Sequence, residues 1–76
     1  MSDAAIEMAT KFRDLLKAER IRRRISQVNL AKRVNRSRKW LSDFERGVID
    51  PSFVTLIGLA LELDVKIEFS ASDEIQ

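Results

Sequence analysis

The sequence predicts an all-α fold that ends in one short β-strand, and two patterns carry this prediction. Apolar residues recur at helical spacing as far as Leu63, with Ser, Asn and Gly at positions where helices commonly start and stop. In "VKIEFS" the spacing changes, and Val65, Ile67 and Phe69 alternate with polar residues, as is typical of a strand. We therefore expect four or five helices followed by a single strand.

The first helix is predicted from Ala4 to Arg24. Its apolar residues at helical spacing are Met8, Phe12, Leu15 and Leu16. Ser26 can cap a second helix, which reaches Val34. The stretch "NRS" then interrupts the pattern, and Asn35 tolerates the left-handed backbone that a tight turn requires.

Two more helices are predicted after this turn. Ser37 can cap the third, and Gly47 is well placed to end it. Asp50 or Ser52 can cap the fourth, and Pro51 is acceptable in its first turn. The fourth helix contributes several apolar residues to the core, at the least Phe53, Leu56, Ala60 and Leu63.

The predicted strand has no partner strand elsewhere in the chain, and an unpaired strand is not stable by itself. A chain of 76 residues without Cys or His has neither a disulfide nor a zinc site to support its small core, which leaves oligomerisation. We therefore predict a homodimer in which the strand pairs with its copy across a two-fold axis. The alternative is an extension that lies along the helices. The predicted interface residues, for which ordinary core is the alternative, are Ile57, Leu61, Val65, Ile67 and Phe69.

Positive charge is concentrated in the middle of the chain. Residues 11–46 hold thirteen of the fourteen Lys and Arg with four acids, a net charge of +9, while residues 1–10 sum to −2 and residues 47–76 to −5. A basic region of this kind suggests a polyanion as partner. The alternative is a solvated basic surface without a partner.

Two short helices joined by a three-residue turn, the second opening with cations, form a helix-turn-helix pattern. In that motif the first residues of the second helix face base edges in the major groove. Arg38 and Lys39 oppose the dipole of their own helix, and a docked polyanion would remove this conflict. The alternative is that both residues only keep the surface soluble. The chain then divides into a DNA-binding domain at residues 1–63, a dimerisation strand at 64–70 and a mobile tail at 71–76.

Neither catalysis nor membrane association is expected. The chain has no His, Cys or Tyr to share proton transfer with its acids, and no Gly-rich phosphate loop. We therefore predict no enzyme activity, metal site, cofactor or small-molecule substrate. The run "RIRRR" lacks the apolar stripe of an interfacial helix, no apolar run is long enough to span a membrane, and the N-terminus lacks a signal-peptide pattern. We expect a cytoplasmic protein located at the nucleoid.

The stretch "ISQVNLAKRVNRSRKWLSDFERG…PSFVTLIGLALEL" resembles the Cro/C1-type, or XRE-type, helix-turn-helix family over residues 12–63. The matching elements are "SQ..LA", the apolar Leu41, "ERG" and "PS..TL". The resemblance implies a lambda-repressor-like fold and a repressor that binds a palindromic operator of double-stranded DNA as a homodimer. "SRKWLSDFERG" and "VKIEF" look more narrowly like HipB-type antitoxins, which repress their own operon and bind a HipA-type kinase toxin. The alternatives are a stand-alone Cro/C1-type repressor without a toxin partner and a basic protein-interaction module.

The family pattern implies a set of DNA contacts on and around the third helix. These residues are Gln27, Arg36, Ser37, Arg38, Lys39, Trp40, Ser42, Asp43 and Arg46. It also implies a structural pair, Arg20 with Glu45, that joins the first helix to the third. Arg24 and Asn35 stand where many members carry glycine, and Arg24 is a further phosphate candidate.

Two of these residues leave alternatives open. Trp40 could stack on the DNA backbone or touch a thymine methyl group, or it could pack against the second helix. Asp43 would repel phosphates unless it accepts a hydrogen bond from a cytosine amino group or from a neighbouring arginine.

Overall fold

The computed structural model describes residues 1–72, which form four helices and no strand. The helices are α1 (Asp3–Arg22), α2 (Gln27–Arg33), α3 (Arg38–Glu45) and α4 (Phe53–Glu62). The prediction of helices in this order is confirmed. Of the tail predicted at residues 71–76, residues 73–76 lie outside the described part of the chain. None of the helices in residues 1–72 is long and apolar enough to cross a membrane.

Each of these helices begins directly after a serine that caps it. The serine side chain accepts a hydrogen bond from the backbone N–H three residues later, which satisfies one of the free N–H groups of the first turn. The predicted caps Ser26 and Ser37 are confirmed, and Ser2 caps α1. For α4 the cap is Ser52 rather than Asp50, and Pro51 lies before the helix instead of in its first turn.

Each helix ends near a residue with a left-handed backbone. These residues are Arg24, Asn35, Gly47 and Asp64, with φ of 58°, 58°, 79° and 55°. In each case the N–H of this residue donates to the carbonyl three residues back, and the next N–H donates to the carbonyl five residues back. A left-handed backbone costs a residue other than glycine about 1–2 kcal/mol, so Arg24 carries strain that Gly47 avoids.

The core lies where α2 packs against α3 and α4, and where α3 packs against α1. Its buried apolar side chains are Leu16, Leu30, Ala31, Leu41, Phe44, Leu59, Ala60 and Leu63. The prediction that Phe53 belongs to the core is wrong, since this residue is 60% exposed. Its ring instead meets the exposed ring of Phe69 edge-on, with centroids 6.4 Å apart.

The strand predicted at residues 64–70 is not present in the described chain. Residues 65–72 have no regular secondary structure, although Val65 and Ile67 are half-buried against the core while Lys66 and Glu68 are exposed. Burial therefore alternates along these four residues as predicted. A β-strand also needs a second strand to hydrogen-bond with, and residues 1–72 contain none. Within one chain the segment is an extension that lies along the helices.

Candidate nucleic-acid interface

The turn between α2 and α3 places the start of α3 on the surface. Asn35 takes the left-handed conformation, and the Arg36 N–H donates to a carbonyl of α2 at 2.8 Å. Arg38 and Lys39, the first two residues of α3, are exposed, while the opposite face of the helix is buried in the core. Two short helices therefore pack together with the first turn of the second one open to solvent.

An ion pair between Arg20 and Glu45 ties α1 to the inner face of α3. Arg20 Nε donates to Glu45 Oε2 at 2.6 Å, and Nη2 donates to Oε1 at 3.0 Å. The third nitrogen, Nη1, donates to the Ile25 carbonyl at 2.8 Å. The Glu45 side chain is only 3% exposed and that of Arg20 12%. Paired, hydrogen-bonded geometry of this kind offsets the cost of removing two charges from water.

Gln27, predicted as a DNA contact, also bonds to this ion pair. Its Nε2 donates to Glu45 Oε1 at 2.9 Å, and the side chain is half-buried. A carboxylate only accepts hydrogen bonds, so the amide nitrogen must be the atom that faces it. The amide oxygen of Gln27 has no partner within residues 1–72, which leaves it free to accept a hydrogen bond from a ligand.

Trp40 contacts one buried residue, Phe44, and one exposed residue, Arg36. Its ring stacks on Phe44 with centroids 5.9 Å apart and planes inclined by 13°, and it is half-buried against the core. The guanidinium carbon of Arg36 lies 5.4 Å from the indole centroid. Such a contact contributes about 0.5–1 kcal/mol at an exposed site, enough to bias the orientation of the arginine. Trp40 therefore acts as a platform that orients Arg36 at the turn.

Asp43 lies between two cations on the outer face of α3. Lys39 Nζ donates to Oδ2 at 2.8 Å, and Arg46 Nη2 donates to Oδ1 at 2.6 Å. The hydrogen bond from Lys39, followed by that from Arg46, lowers the pKa of Asp43 below its ordinary value. The carboxylate expected to repel phosphates therefore has its charge compensated within its own helix and the following residue.

The remaining predicted contacts also lie on α3 or beside it. Ser37 is exposed and uses its side-chain oxygen to cap the helix, and Ser42 is half-buried one turn after Arg38. At the end of α1, Glu19 accepts hydrogen bonds from Arg22 and Arg23, and chiefly the bond from Arg22 lowers the pKa of Glu19 to about 2. The acids of the basic region thus compensate specific arginines and Lys39, and leave other cations without an acidic partner within residues 1–72.

We name these other cations around the turn the unpaired cations. Each is exposed and has no acidic partner within residues 1–72, and they are Arg24, Lys32, Arg33, Arg36 and Arg38. Lys32 and Arg33, at the end of α2, were not predicted as DNA contacts. A sequence signal for them exists, because neither has an acid three or four residues away to pair with along the helix.

These features define a helix-turn-helix domain with unpaired positive charge at the start of its second short helix. The Helix-turn-helix domain family matches residues 11–65, and the chain belongs to this family. The chain is similar to the immunity repressor protein of Bacillus phage phi105, with 37% identity over 59 residues. Those residues make up 78% of this chain and 41% of that protein, so this chain spans less than half of the relative's length. No solved structure matches the chain.

Both matches agree with the Cro/C1-type resemblance found in the motifs. Neither of them bears on the narrower HipB-type resemblance, which stays a prediction.

Proposed function

We propose that this chain is a sequence-specific DNA-binding protein that represses transcription. The observation that carries the proposal is the first turn of α3, which is exposed, capped by Ser37 and opened by the unpaired Arg38. The major groove admits one α-helix, and an arginine there can donate two hydrogen bonds to O6 and N7 of guanine. Membership of the helix-turn-helix family and similarity to a protein named as an immunity repressor support this role.

The other residues take supporting roles around Arg38. Arg36, held by Trp40, is suited to a phosphate contact beside the turn, as are Lys32 and Arg33 at the end of α2. Phosphate contacts fix the register of a protein on the duplex without carrying sequence information. The free amide oxygen of Gln27 is a hydrogen-bond acceptor. It can therefore bind the amino group of a base, which is a donor, but not a phosphate oxygen, which is another acceptor.

The DNA-binding unit in this proposal is a homodimer on a palindromic operator, with one α3 in each half-site and half-sites about 34 Å apart or a multiple of that distance. Support comes from the exposed apolar residues beside the C-terminal segment, where Leu61 is 73% and Phe69 75% exposed. The half-buried Ile57, Val65 and Ile67 line the same groove, which has a volume of about 360 Å³. The N–H groups of residues 66–70 have no backbone partner within residues 1–72, so a copy of the segment can pair with them.

The dimer is tested with Phe69→Asp against Ser70→Asp, which adds the same charge at the next exposed residue. We expect the first variant to sediment as a monomer and to lose operator affinity, and the second to behave as the wild type. If Phe69→Asp remains fully dimeric, strand pairing is not the basis of association.

The name of the relative favours a stand-alone repressor over an antitoxin. The antitoxin role and a HipA-type kinase partner remain a second candidate, supported by the motifs "SRKWLSDFERG" and "VKIEF". Co-purification of a kinase encoded beside this gene would favour that candidate.

A fluorescence anisotropy titration tests DNA binding directly. The labelled duplex is the segment upstream of this protein's own gene, and the control is a scrambled duplex of equal length, each at two salt concentrations. We expect the upstream duplex to bind about a thousandfold more tightly. Equal binding of the two duplexes with steep salt dependence would reject specific repression. The basic surface would then bind DNA without regard to sequence, or bind an acidic protein.

A further inference from the structure

We propose that Asp43 is a specificity-determining residue, because it holds Lys39 and Arg46 away from the phosphate backbone and so weakens binding to unrelated DNA. The inference rests on the proposed function, since it concerns how this chain would distinguish an operator from other duplexes. It also assigns a role to an acid in a surface that is otherwise basic.

The geometry joins these three side chains by two hydrogen bonds. Each carboxylate oxygen of Asp43 accepts from a different cation, at 2.8 Å from Lys39 and 2.6 Å from Arg46. The Asp43 side chain is only 14% exposed, although the side chains of its partners are 84% and 63% exposed. The backbone is fixed as well, because the Val48 N–H donates to the Asp43 carbonyl at 2.8 Å where α3 ends. We call Lys39, Asp43 and Arg46 the Asp43 clamp.

The clamp lowers the sequence-independent, electrostatic contribution to DNA affinity. Each cation that neutralises a phosphate releases counterions, and the slope of log affinity against log salt steepens by about 0.9 for each such contact on any duplex. To reach a phosphate, Lys39 or Arg46 must give up a charge-assisted hydrogen bond to Asp43. Arg38 has no acidic partner within residues 1–72 and keeps its capacity to read a base.

A different role for Asp43 would be direct recognition of a cytosine amino group. Each of its oxygens already accepts from a charged donor, which compensates the carboxylate within the chain and favours the clamp. When the carboxylate is removed, the clamp predicts tighter binding of unrelated DNA, whereas base recognition predicts no change there.

The test compares Asp43→Asn with the wild type on the upstream and scrambled duplexes over a range of salt. We expect the scrambled duplex to bind about tenfold more tightly near 0.1 M salt, with a slope steeper by about 1–2, since one or two cations are released. The role in specificity requires the upstream duplex to gain less, so that the ratio of the two affinities falls. An equal gain on both duplexes would show that Asp43 lowers DNA affinity without determining specificity. Glu62→Gln is the matched control, since it makes the same charge change at an exposed residue of α4 that has no ion pair within residues 1–72.

A second set of variants assigns the effect to the cations. Adding Lys39→Gln and Arg46→Gln to Asp43→Asn is expected to return the slope to the wild-type value or below it. An unchanged scrambled-duplex affinity and slope in Asp43→Asn would overturn the proposal. Loss of upstream binding with no change on the scrambled duplex would also overturn it and assign Asp43 to base recognition.

Heparin chromatography separates this proposal from the proposed function, because heparin is a polyanion without a base sequence. Later elution of Asp43→Asn than of the wild type is expected if the clamp restrains the two cations. Equal elution would overturn the clamp even if the wild type prefers the upstream duplex. A wild type without such a preference, combined with later elution of the variant, would reject the proposed repressor and retain the clamp.

Discussion

The two faces of α3 carry acids two residues apart that have opposite surroundings. On the inner face, Glu45 is 3% exposed and accepts hydrogen bonds from Arg20 and Gln27. On the outer face, Asp43 accepts from Lys39 and Arg46, whose side chains are mostly exposed to solvent. Glu45 accepts three hydrogen bonds and Asp43 two, but each carboxylate has two partner residues, so the number of partners does not distinguish them. What differs is how much water reaches the donors.

That difference decides what each acid can do. Removing one member of a buried pair leaves an uncompensated charge and costs about 3–5 kcal/mol, whereas an exposed pair contributes about 0–1 kcal/mol. Glu45, the inner acid, therefore contributes to folding, and breaking its ion pair lowers the free energy of unfolding. The outer acid can change with little effect on the fold, so it is free to tune the charge that a ligand meets.

The largest expected effect is on the inner face. Arg20→Ala should lower the free energy of unfolding by about 3–5 kcal/mol, because it leaves Glu45 buried without its cation. Urea denaturation followed by circular dichroism measures this loss. The control is Arg22→Ala, which breaks an exposed pair with Glu19 on the same helix and should cost far less. Equal losses in the two variants would contradict the distinction between buried and exposed pairs.

The next effect is on binding at the outer face. Arg38→Ala should weaken operator binding by about 1–3 kcal/mol and relax base preference at one position, with the stability unchanged. Lys32→Ala is the comparison, since a phosphate contact should weaken all duplexes equally and reduce the salt slope by about 1. Anisotropy titrations with single-base-pair variants of the operator measure both. Uniform weakening by Arg38→Ala would assign that residue to phosphate instead of a base.

The parts of the fold that sequence could predict are those set by local chemistry. Ser26 and Ser37 cap helices because a serine oxygen reaches an N–H three residues away. Gly47 ends α3 because its backbone takes φ of 79° without strain. The strand predicted at residues 64–70 rests on an equally local alternation, but strand formation depends on a partner strand, and residues 1–72 contain none.

The same division applies to the candidate site. The Asp43 clamp has spacings of four and three residues, so its ion pairs could have been anticipated from helical geometry. The bond between Gln27 and Glu45 spans eighteen residues and depends on how α2 packs against α3, which no local pattern encodes. For the same reason the sequence left the position of Trp40 open.

A smaller effect on stability is expected at the N-terminal cap of α3, the helix that carries both faces. Ser37 caps α3 for both faces, and Ser37→Ala should lower the free energy of unfolding by about 1 kcal/mol. Ser70→Ala, at an exposed residue of the irregular segment after α4, is the control and should be close to neutral. Thermal and urea denaturation of both variants measure the effect. A loss as large as that of Arg20→Ala would mean that the cap, rather than the buried ion pair, dominates the stability of α3.

The smallest effect is the pH dependence of the outer acid. The hydrogen bonds from Lys39 and Arg46 lower the folded-state pKa of Asp43 below its ordinary value of 3.8, so folding favours its ionised form. The stabilisation is therefore fully present above pH 3.8 and is lost as the pH falls through the lowered pKa. Asp43→Asn should be slightly less stable than the wild type at pH 7, and the difference should vanish in acid.

Urea denaturation of both proteins between pH 7 and pH 2 measures this difference. Lys39→Gln removes one of the two donors and should reproduce part of the loss at neutral pH but none of it in acid. A difference that persists unchanged at pH 2 would show that the asparagine alters the fold in some other way. A difference at pH 7 as large as that of Arg20→Ala would show that the outer acid supports the fold as the inner one does, and the two faces of α3 would not then have separate roles.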